Sequence, residues 1–409
     1  MSAVSPAAEL GVRPGWLERL KQHRLLASTS EFLTVTAFGF LPFALPAFVF
    51  AYVLHNASWG NDGNFYDLHT TWAAGRNIAH GHSPYPFIYP APAAVIMVPF
   101  GVLPWRLAVV AFFLVSAAAV FATLRILGVR DWRCYGACLV ALPTASAIWI
   151  GTPTPLLALA TACVWRWRDR RFVLAIALVA AVATKIFLWP LFVWLLAMRR
   201  FRAAAIGAVS IAIASIGAWG LIGFSGAAAY PKQLADAASL YEDKGYSAIS
   251  LVHALGVHGA ASTVVAGIVA LLAIGAVVVL ARRPNGDIAS FTAAIAAALL
   301  TSPIVWVHYL LLLYVPIAIV RPRLSGLWLL PLLLWPLGGQ ESHGSPARLL
   351  FVLGLLGRPE QCVAESDIAV YPDPLRVRAA ESHEFCHARE QARVNRSAIE
   401  VKDAGNSAH

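Results

Sequence analysis

Residues 61–92 begin Asn61-Asp62-Gly63-Asn64-Phe65-Tyr66-Asp67, pass through His69, Arg76, His80, His82 and Tyr85, and end on Tyr89-Pro90-Ala91-Pro92. The apolar run Leu33 to Leu54 precedes this stretch and the run Leu107 to Leu127 follows it. Each is about as long as the ~20 residues an α-helix needs to cross the hydrocarbon core of a bilayer. A polar island between two such runs is a loop at a membrane surface. The carboxylates, imidazoles and aromatics gathered in it admit two readings, turn chemistry or a reaction site.

Outward from that stretch the same pattern repeats. Of the 409 residues 59% are hydrophobic and 13% charged, and mean hydropathy is +0.67; soluble domains carry about 25% charged residues. The composition predicts an all-α polytopic integral membrane protein with about 10–13 transmembrane helices. Further long runs cover Tyr135 to Ile150, Ala203 to Phe224, Thr263 to Ala281 and Ile288 to Val305, and shorter ones Leu156 to Val164, Phe172 to Thr184, Ile186 to Met198, Tyr309 to Val320, Leu324 to Leu337 and Leu349 to Leu356. Three regions follow: a polar, basic cytoplasmic segment 1–30, a multispan membrane domain 31–357 with an outer loop 56–92, and a polar tail 358–409 expected to be cytoplasmic and poorly ordered. Within the first region, Trp16 to Leu26 has the pattern of an amphipathic surface helix.

The net charge of +10 is spread over short Arg clusters beside apolar runs, which is a topology signal and not a nucleic-acid stripe. The clusters at Arg13–Arg24, Arg125–Arg133, Arg166–Arg171, Arg199–Arg202, Arg282–Arg283 and Arg321–Arg323 hold more than half of the 31 Lys and Arg. All can be cytoplasmic together only if Ile88 to Leu103, with Pro90, Pro92 and Pro99, enters the membrane without crossing it. The polar island then faces the periplasm or exterior of a multi-pass inner (plasma) membrane protein. The loop from Ser225 to Ser250 and the segment around Trp306-Val307-His308 share that side.

Several residues can carry chemistry. Asp67 suits a general base that takes a proton from an incoming hydroxyl, and equally an N-cap for the helix after it. Lys185 interrupts the apolar run from Phe172 to Met198; it either snorkels to an interface or meets an anion such as phosphate. His308, beside Trp306 and Tyr309, is either a hydrogen-bonded structural group or a ligand contact. Arg76 suits a phosphate or a lipid headgroup. His80-Gly81-His82 lacks a third ligand, and Cys362, His383, Cys386 and His387 match no standard zinc spacing, so no metal is expected. The loop carrying Tyr230, Lys232, Gln233, Asp236, Tyr241, Glu242 and Asp243 suits a sugar or headgroup, or an ordinary interfacial helix.

The order of motifs adds a resemblance. Asp67-Leu68, Ala73-Ala74, Gly81, Pro84-Tyr85, Phe87, Tyr89-Pro90, Pro99 and Leu103-Pro104 resemble the first outer loop of the polyprenyl-phosphate-mannose-dependent mannosyltransferases, glycosyltransferase family 87. Lys185 with Pro190 is similar to that family's mid-chain lysine segment, and Ser302-Pro303, Trp306 and His308-Tyr309 to its late segment. The chain departs from the family pattern at Thr71, at the split prolines Pro90-Ala91-Pro92 and at the turn Gly151-Thr152-Pro153-Thr154. The resemblance implies a C-type glycosyltransferase fold and transfer of a sugar, mannose first among candidates, from a polyprenyl-phosphate donor to a lipid or glycan acceptor with inversion. It implies Asp67 as base, Lys185, His308 and Arg76 as donor-phosphate contacts, and Tyr66, Tyr85, Tyr89, Trp306 and Tyr309 as substrate lining. No cofactor is implied, in keeping with the lack of a Gly-rich phosphate loop. The expected partners are the donor, the acceptor and membrane lipids. The alternative from the residues alone is a transporter or flippase of a polar or lipid-linked solute.

Overall fold

A computed structural model of the protein describes residues 28–55, 65–337, 341–342 and 345–357. All belong to the first of two units into which the chain divides, Met1–Glu365. Asp62, the Trp16 to Leu26 segment, the tail 358–409 and its Cys/His cluster lie outside the described residues.

Among the described residues the secondary structure is helical throughout. A π-helical turn Thr36–Phe40 leads into α1 (Leu41–His55). After it come α2 (Tyr66–Ala79), α3 (Ala91–Ile96), α4 (Val98–Gly101), α5 (Trp105–Ile126), α6 (Trp132–Val140), α7 (Leu142–Ile150) and α8 (Thr154–Arg166). The second half contains α9 (Arg171–Leu178), α10 (Pro190–Ala197), α11 (Phe201–Leu221), α12 (Tyr230–Tyr241), α13 (Ala248–Ala254), α14 (Ala260–Ala281), α15 (Asp287–Thr301) and α16 (Tyr314–Val320).

Three helices, α5, α11 and α14, are long and apolar enough to cross a membrane, and α6 with α7 forms a fourth candidate bent by 61°. That bend divides the run expected as one span from Tyr135 to Ile150. Its cause is Ala141, extended at φ −66° and ψ 141°, with Pro143 at the start of the next helix. Shorter apolar helices take up the expected runs Phe172 to Thr184, Ile186 to Met198, Ile288 to Val305, Tyr309 to Val320 and Leu324 to Leu337.

Two of these short stretches are broken at the positions that bear polar side chains. From α9 the chain passes through a π-helical turn, Val179–Ala183, reaches Lys185 in extended conformation, and makes one 3-10 turn, Ile186–Leu188, before α10. Pro190 has no N–H to donate and its ring would strike the carbonyl four residues earlier, so an α-helix cannot run through Lys185 to Trp189. The expected span Ile288 to Val305 likewise ends early. Ser302 precedes Pro303, which disfavours helical backbone at Ser302 (φ −75°, ψ 129°), and the chain then enters a 3-10 helix, Val307–Leu313.

The segment Ile88 to Leu103 forms α3 and α4 with a break at Met97. Six and four residues rise only ~9 and ~6 Å, so neither helix can span a bilayer. These helices pack directly on α2. A Cβ at Gly75 would run into the Met97 carbonyl, and one at Gly101 into the backbone N of Arg76. Glycine at both positions lets backbone meet backbone, which fixes α2 against the inserted segment.

Candidate active site

The first turn of α2 carries Asp67. The residue in the N-cap position is Phe65, at φ +53°, with no side-chain cap; Asp67 is therefore not the cap that its sequence context allowed. Left-handed backbone at a non-glycine residue costs on the order of 1 kcal/mol. It is held here by the Phe65 N–H donating to the Trp149 carbonyl at 3.0 Å and by burial of the Phe65 ring. Gly151, itself at φ +74°, stands against Leu68, where a Cβ would come within 2.5 Å of the Leu68 Cβ. The turn after α7 thus seats the start of α2, and the carboxylate sits at the positive end of a helix.

Three other polar side chains meet it. The Tyr89 O–H donates to Asp67 Oδ2 at 3.4 Å. Lys185 Nζ lies 4.7 Å from the Tyr89 ring centroid and 4.0 Å from that of Tyr309, and donates to the Tyr309 hydroxyl. The Tyr309 ring stacks on Phe187 with centroids 5.2 Å apart and planes within 6°, and the His308 ring meets its edge at 4.6 Å. Both broken stretches therefore converge: the extended residue of one presents the cation, and the 3-10 helix of the other presents the hydroxyl. Lys185 is 7% exposed and makes no salt bridge with any described carboxylate. The Tyr89 and Tyr309 rings flank its charge, contacts worth about 2 kcal/mol each once desolvated, and Asp67 is close enough to act on it electrostatically.

Burial is the largest influence on the Asp67 carboxyl and raises its pKa above the usual carboxylate range; the Lys185 ammonium and the Tyr89 hydroxyl pull it partly back. A carboxylate so placed is a stronger proton acceptor than an ordinary aspartate.

Around this centre, Tyr66 is 57% exposed at the rim and Trp306 meets Tyr241 edge to face at 5.3 Å. Two expected site residues stand apart. Arg76 lies nine residues beyond Asp67, about 14 Å along α2 and on its opposite side, with its guanidinium over Trp72 at 5.2 Å. Tyr85 stacks on Trp219 at 5.0 Å and 11°, and its hydroxyl donates to the Tyr89 carbonyl at 3.2 Å. It is placed to buttress Tyr89 and not to line the centre. His80 and His82 are exposed, and no His/Cys/Asp/Glu group among the described residues is arranged to hold a metal ion. Phe187, Tyr241 and Glu341 were missing from the sequence-derived set. Of these only Tyr241 had a signal, its place in a loop mixing tyrosines with acids and amides.

Residues 87–307 match the model of glycosyltransferase family 87. The chain belongs to this family. The match contains Tyr89, Lys185 and Trp306, and begins after Asp67 and ends before His308. A curated relative, the polyprenol-phosphate-mannose-dependent alpha-(1-2)-phosphatidylinositol pentamannoside mannosyltransferase of Mycobacterium tuberculosis (strain CDC 1551 / Oshkosh), is 27% identical over 340 residues, covering 73% of each chain. No solved structure matches. The family and the apolar helices make the protein an all-α membrane glycosyltransferase.

Proposed function

We propose that the protein transfers mannose from a polyprenyl-phosphate donor to a hydroxyl of a lipid or glycan acceptor, with inversion, at the outer face of the plasma membrane. The observation that carries this reading is a buried lysine, set against two tyrosines and in no salt bridge with a described carboxylate, beside the partly buried Asp67 at a helix start. Such a cation is left without a salt bridge, and a lipid phosphate arriving through the surrounding apolar helices supplies a direct anionic contact. The relative's own donor, named as polyprenol-phosphate-mannose, agrees with it.

In this mechanism Asp67 takes the proton of the acceptor hydroxyl as the oxygen attacks the anomeric carbon. The bond from that carbon to the phosphate oxygen breaks, and its electron pair leaves with the polyprenyl phosphate. Lys185 and the Tyr309 hydroxyl offset the charge that develops on the leaving oxygen. Tyr89 orients Asp67, Tyr66 and Trp306 line the approach, and His308, buried against the Tyr309 ring, helps to position that hydroxyl. A single displacement on a β-linked donor gives an α-mannoside.

Membranes containing the protein, supplied with radiolabelled polyprenyl-phosphate mannose and a panel of acceptors, are expected to form labelled product. Asp67→Asn should lower transfer ~10²–10⁴-fold; full activity of that variant rejects Asp67 as base. For sidedness, single cysteines replacing His80 and Asn285 in a cysteine-free background should react with an impermeant thiol reagent from opposite sides. Labelling of both from one side rejects the topology.

A further inference from the structure

The polar centre has an aromatic flank that departure of the phosphate does not require. Helix α12 turns Tyr230, Gln233, Ala237 and Tyr241 to the protein and leaves Lys232, Asp236, Ser239 and Leu240 exposed. Spacings of three and four residues put Tyr230, Ala237 and Tyr241 on one face. Tyr241, the last residue of that face, is partly buried and stands over Trp306 at 70° between ring planes. Burial raises its pKa, and Tyr66, Asp67 and Glu341 are close enough to raise it further.

The strap after Tyr241 is tied down at each step. The Tyr246 N–H donates to the Val305 carbonyl, next to Trp306, at 2.6 Å, and the Ser342 N–H donates to the Lys244 carbonyl at 2.7 Å. The Tyr246 hydroxyl donates to the Glu341 carbonyl at 3.1 Å. Asp243 meets His253 Nδ1 at 2.6 Å, and His253 Nε2 meets Ser262 Oγ at 3.0 Å at the start of α14. An aromatic ring at a rim is ordinarily mobile. Here the backbone on its C-terminal side is fixed to three separate parts of the chain, so the position of Tyr241 relative to Asp67 is set before any ligand arrives.

Resting on the proposed transfer reaction, we infer that Tyr241 and Trp306 form the platform on which a pyranose ring of the acceptor stacks. Two rings at a steep angle present a face and an edge, the corner that the C–H face of a sugar fills. The geometry separates this platform from the donor. Lys185 is set against Tyr89 and Tyr309 and Tyr241 against Trp306, and Asp67 is close enough to both Lys185 and Tyr241 to act on them electrostatically. A general base must touch the acceptor hydroxyl, so the flat apolar surface beside it belongs to the acceptor.

In proteoliposomes, Tyr241→Ala should raise KM for an acceptor probe about tenfold, as loss of one stacking contact predicts. KM for polyprenyl-phosphate mannose should stay within about twofold, and Tyr241→Phe should keep the acceptor KM. Octyl α-mannoside and methyl α-mannoside, run in parallel, distinguish a membrane-anchored from a free glycoside and should share the dependence on Tyr241. An unchanged acceptor KM in Tyr241→Ala, or an equal rise for donor and acceptor, overturns the platform. Saturation-transfer NMR of methyl α-mannoside on the full chain in nanodiscs gives a readout without turnover, and its signal should be lost in Tyr241→Ala and kept in Tyr241→Phe. If that pattern holds while the unaltered protein takes no mannose from polyprenyl phosphate, the donor assignment fails and the platform stands. If transfer occurs and the NMR signal ignores Tyr241, the platform alone fails.

Discussion

Asp67 and Asp287 are both partly buried aspartates in the first turn of a helix, and they are partnered in opposite ways. Asp287 Oδ2 lies 2.9 Å from Arg168 Nε and 3.5 Å from Arg200 Nη2, and Arg200 also reaches Asp169 at 2.9 Å. Both guanidinium groups rest on indole rings, Trp165 at 4.2 Å and Trp194 at 5.8 Å. This clasp ties the break before α9 and the break before α11 to the start of α15. Asp67 has a single 3.4 Å hydrogen bond, from a tyrosine, and its nearest cation is held by tyrosine rings. Charge closed on itself holds elements together. Charge left short of partners is available to a substrate.

The contrast can be broken by exchange of roles. Lys185→Met should reduce transfer about 10²–10³-fold, the effect of losing one charge stabiliser at a leaving group, while leaving the thermal midpoint within a few degrees. Asp287→Asn should do the reverse, lowering unfolding stability by about 1–2 kcal/mol, between the exposed-pair and buried-pair limits, with transfer per folded molecule unchanged. Parallel melting curves and initial rates test both; a catalytic loss in Asp287→Asn comparable to that of Lys185→Met removes the distinction.

A smaller effect sharpens it through pH. In the proposed role of base Asp67 must be ionised, so the rate should fall as pH drops through its raised pKa, above the range in which an ordinary aspartate titrates. The Tyr89 hydroxyl lowers that pKa. Tyr89→Phe should therefore move the acid limb of kcat/KM to higher pH, and a limb that stays or moves to lower pH contradicts the assigned hydrogen bond. Smallest of all is Arg76→Ala, which should change the donor KM less than about threefold, because nine residues of helix carry the guanidinium to the opposite side of α2.

Asp131 extends the comparison to pH stability. Hydrogen bonds from Arg133 and the Leu324 N–H lower its pKa to about 2. Its contribution is fully present above the ordinary aspartate pKa of 3.8 and is lost as pH falls through about 2. This window lies below that of Asp67, so acid should silence transfer before it loosens the Asp131 contact.

Much of the molecule was legible in order. The apolar runs announced membrane helices, because a span in lipid must be apolar and long whatever its neighbours are. The charge of Lys185 announced the first break, while the expected span Ile288 to Val305 ran through Pro303, although proline's missing N–H and ring act locally on a helix. Asp67, Lys185 and His308-Tyr309 stood out as polar groups where burial is costly. The bend at Ala141 was not legible in hydropathy, since the run from Tyr135 to Ile150 is continuous and only Pro143 marks it. Nor was the separation of Tyr85 from the centre, four residues before Tyr89 and yet packed on Trp219.

The sequence by itself determined the class of protein and which polar residues had to find a use. Only the tertiary structure decided which of them meet. Lys185 and Tyr309 are 124 residues apart, and their contact follows from two broken helices packing Phe187 flat on Tyr309, a pairing no local pattern encodes. Arg76 and Asp67 share one short helix and point apart, because direction on a helix is set by its turn and not by nearness in the chain.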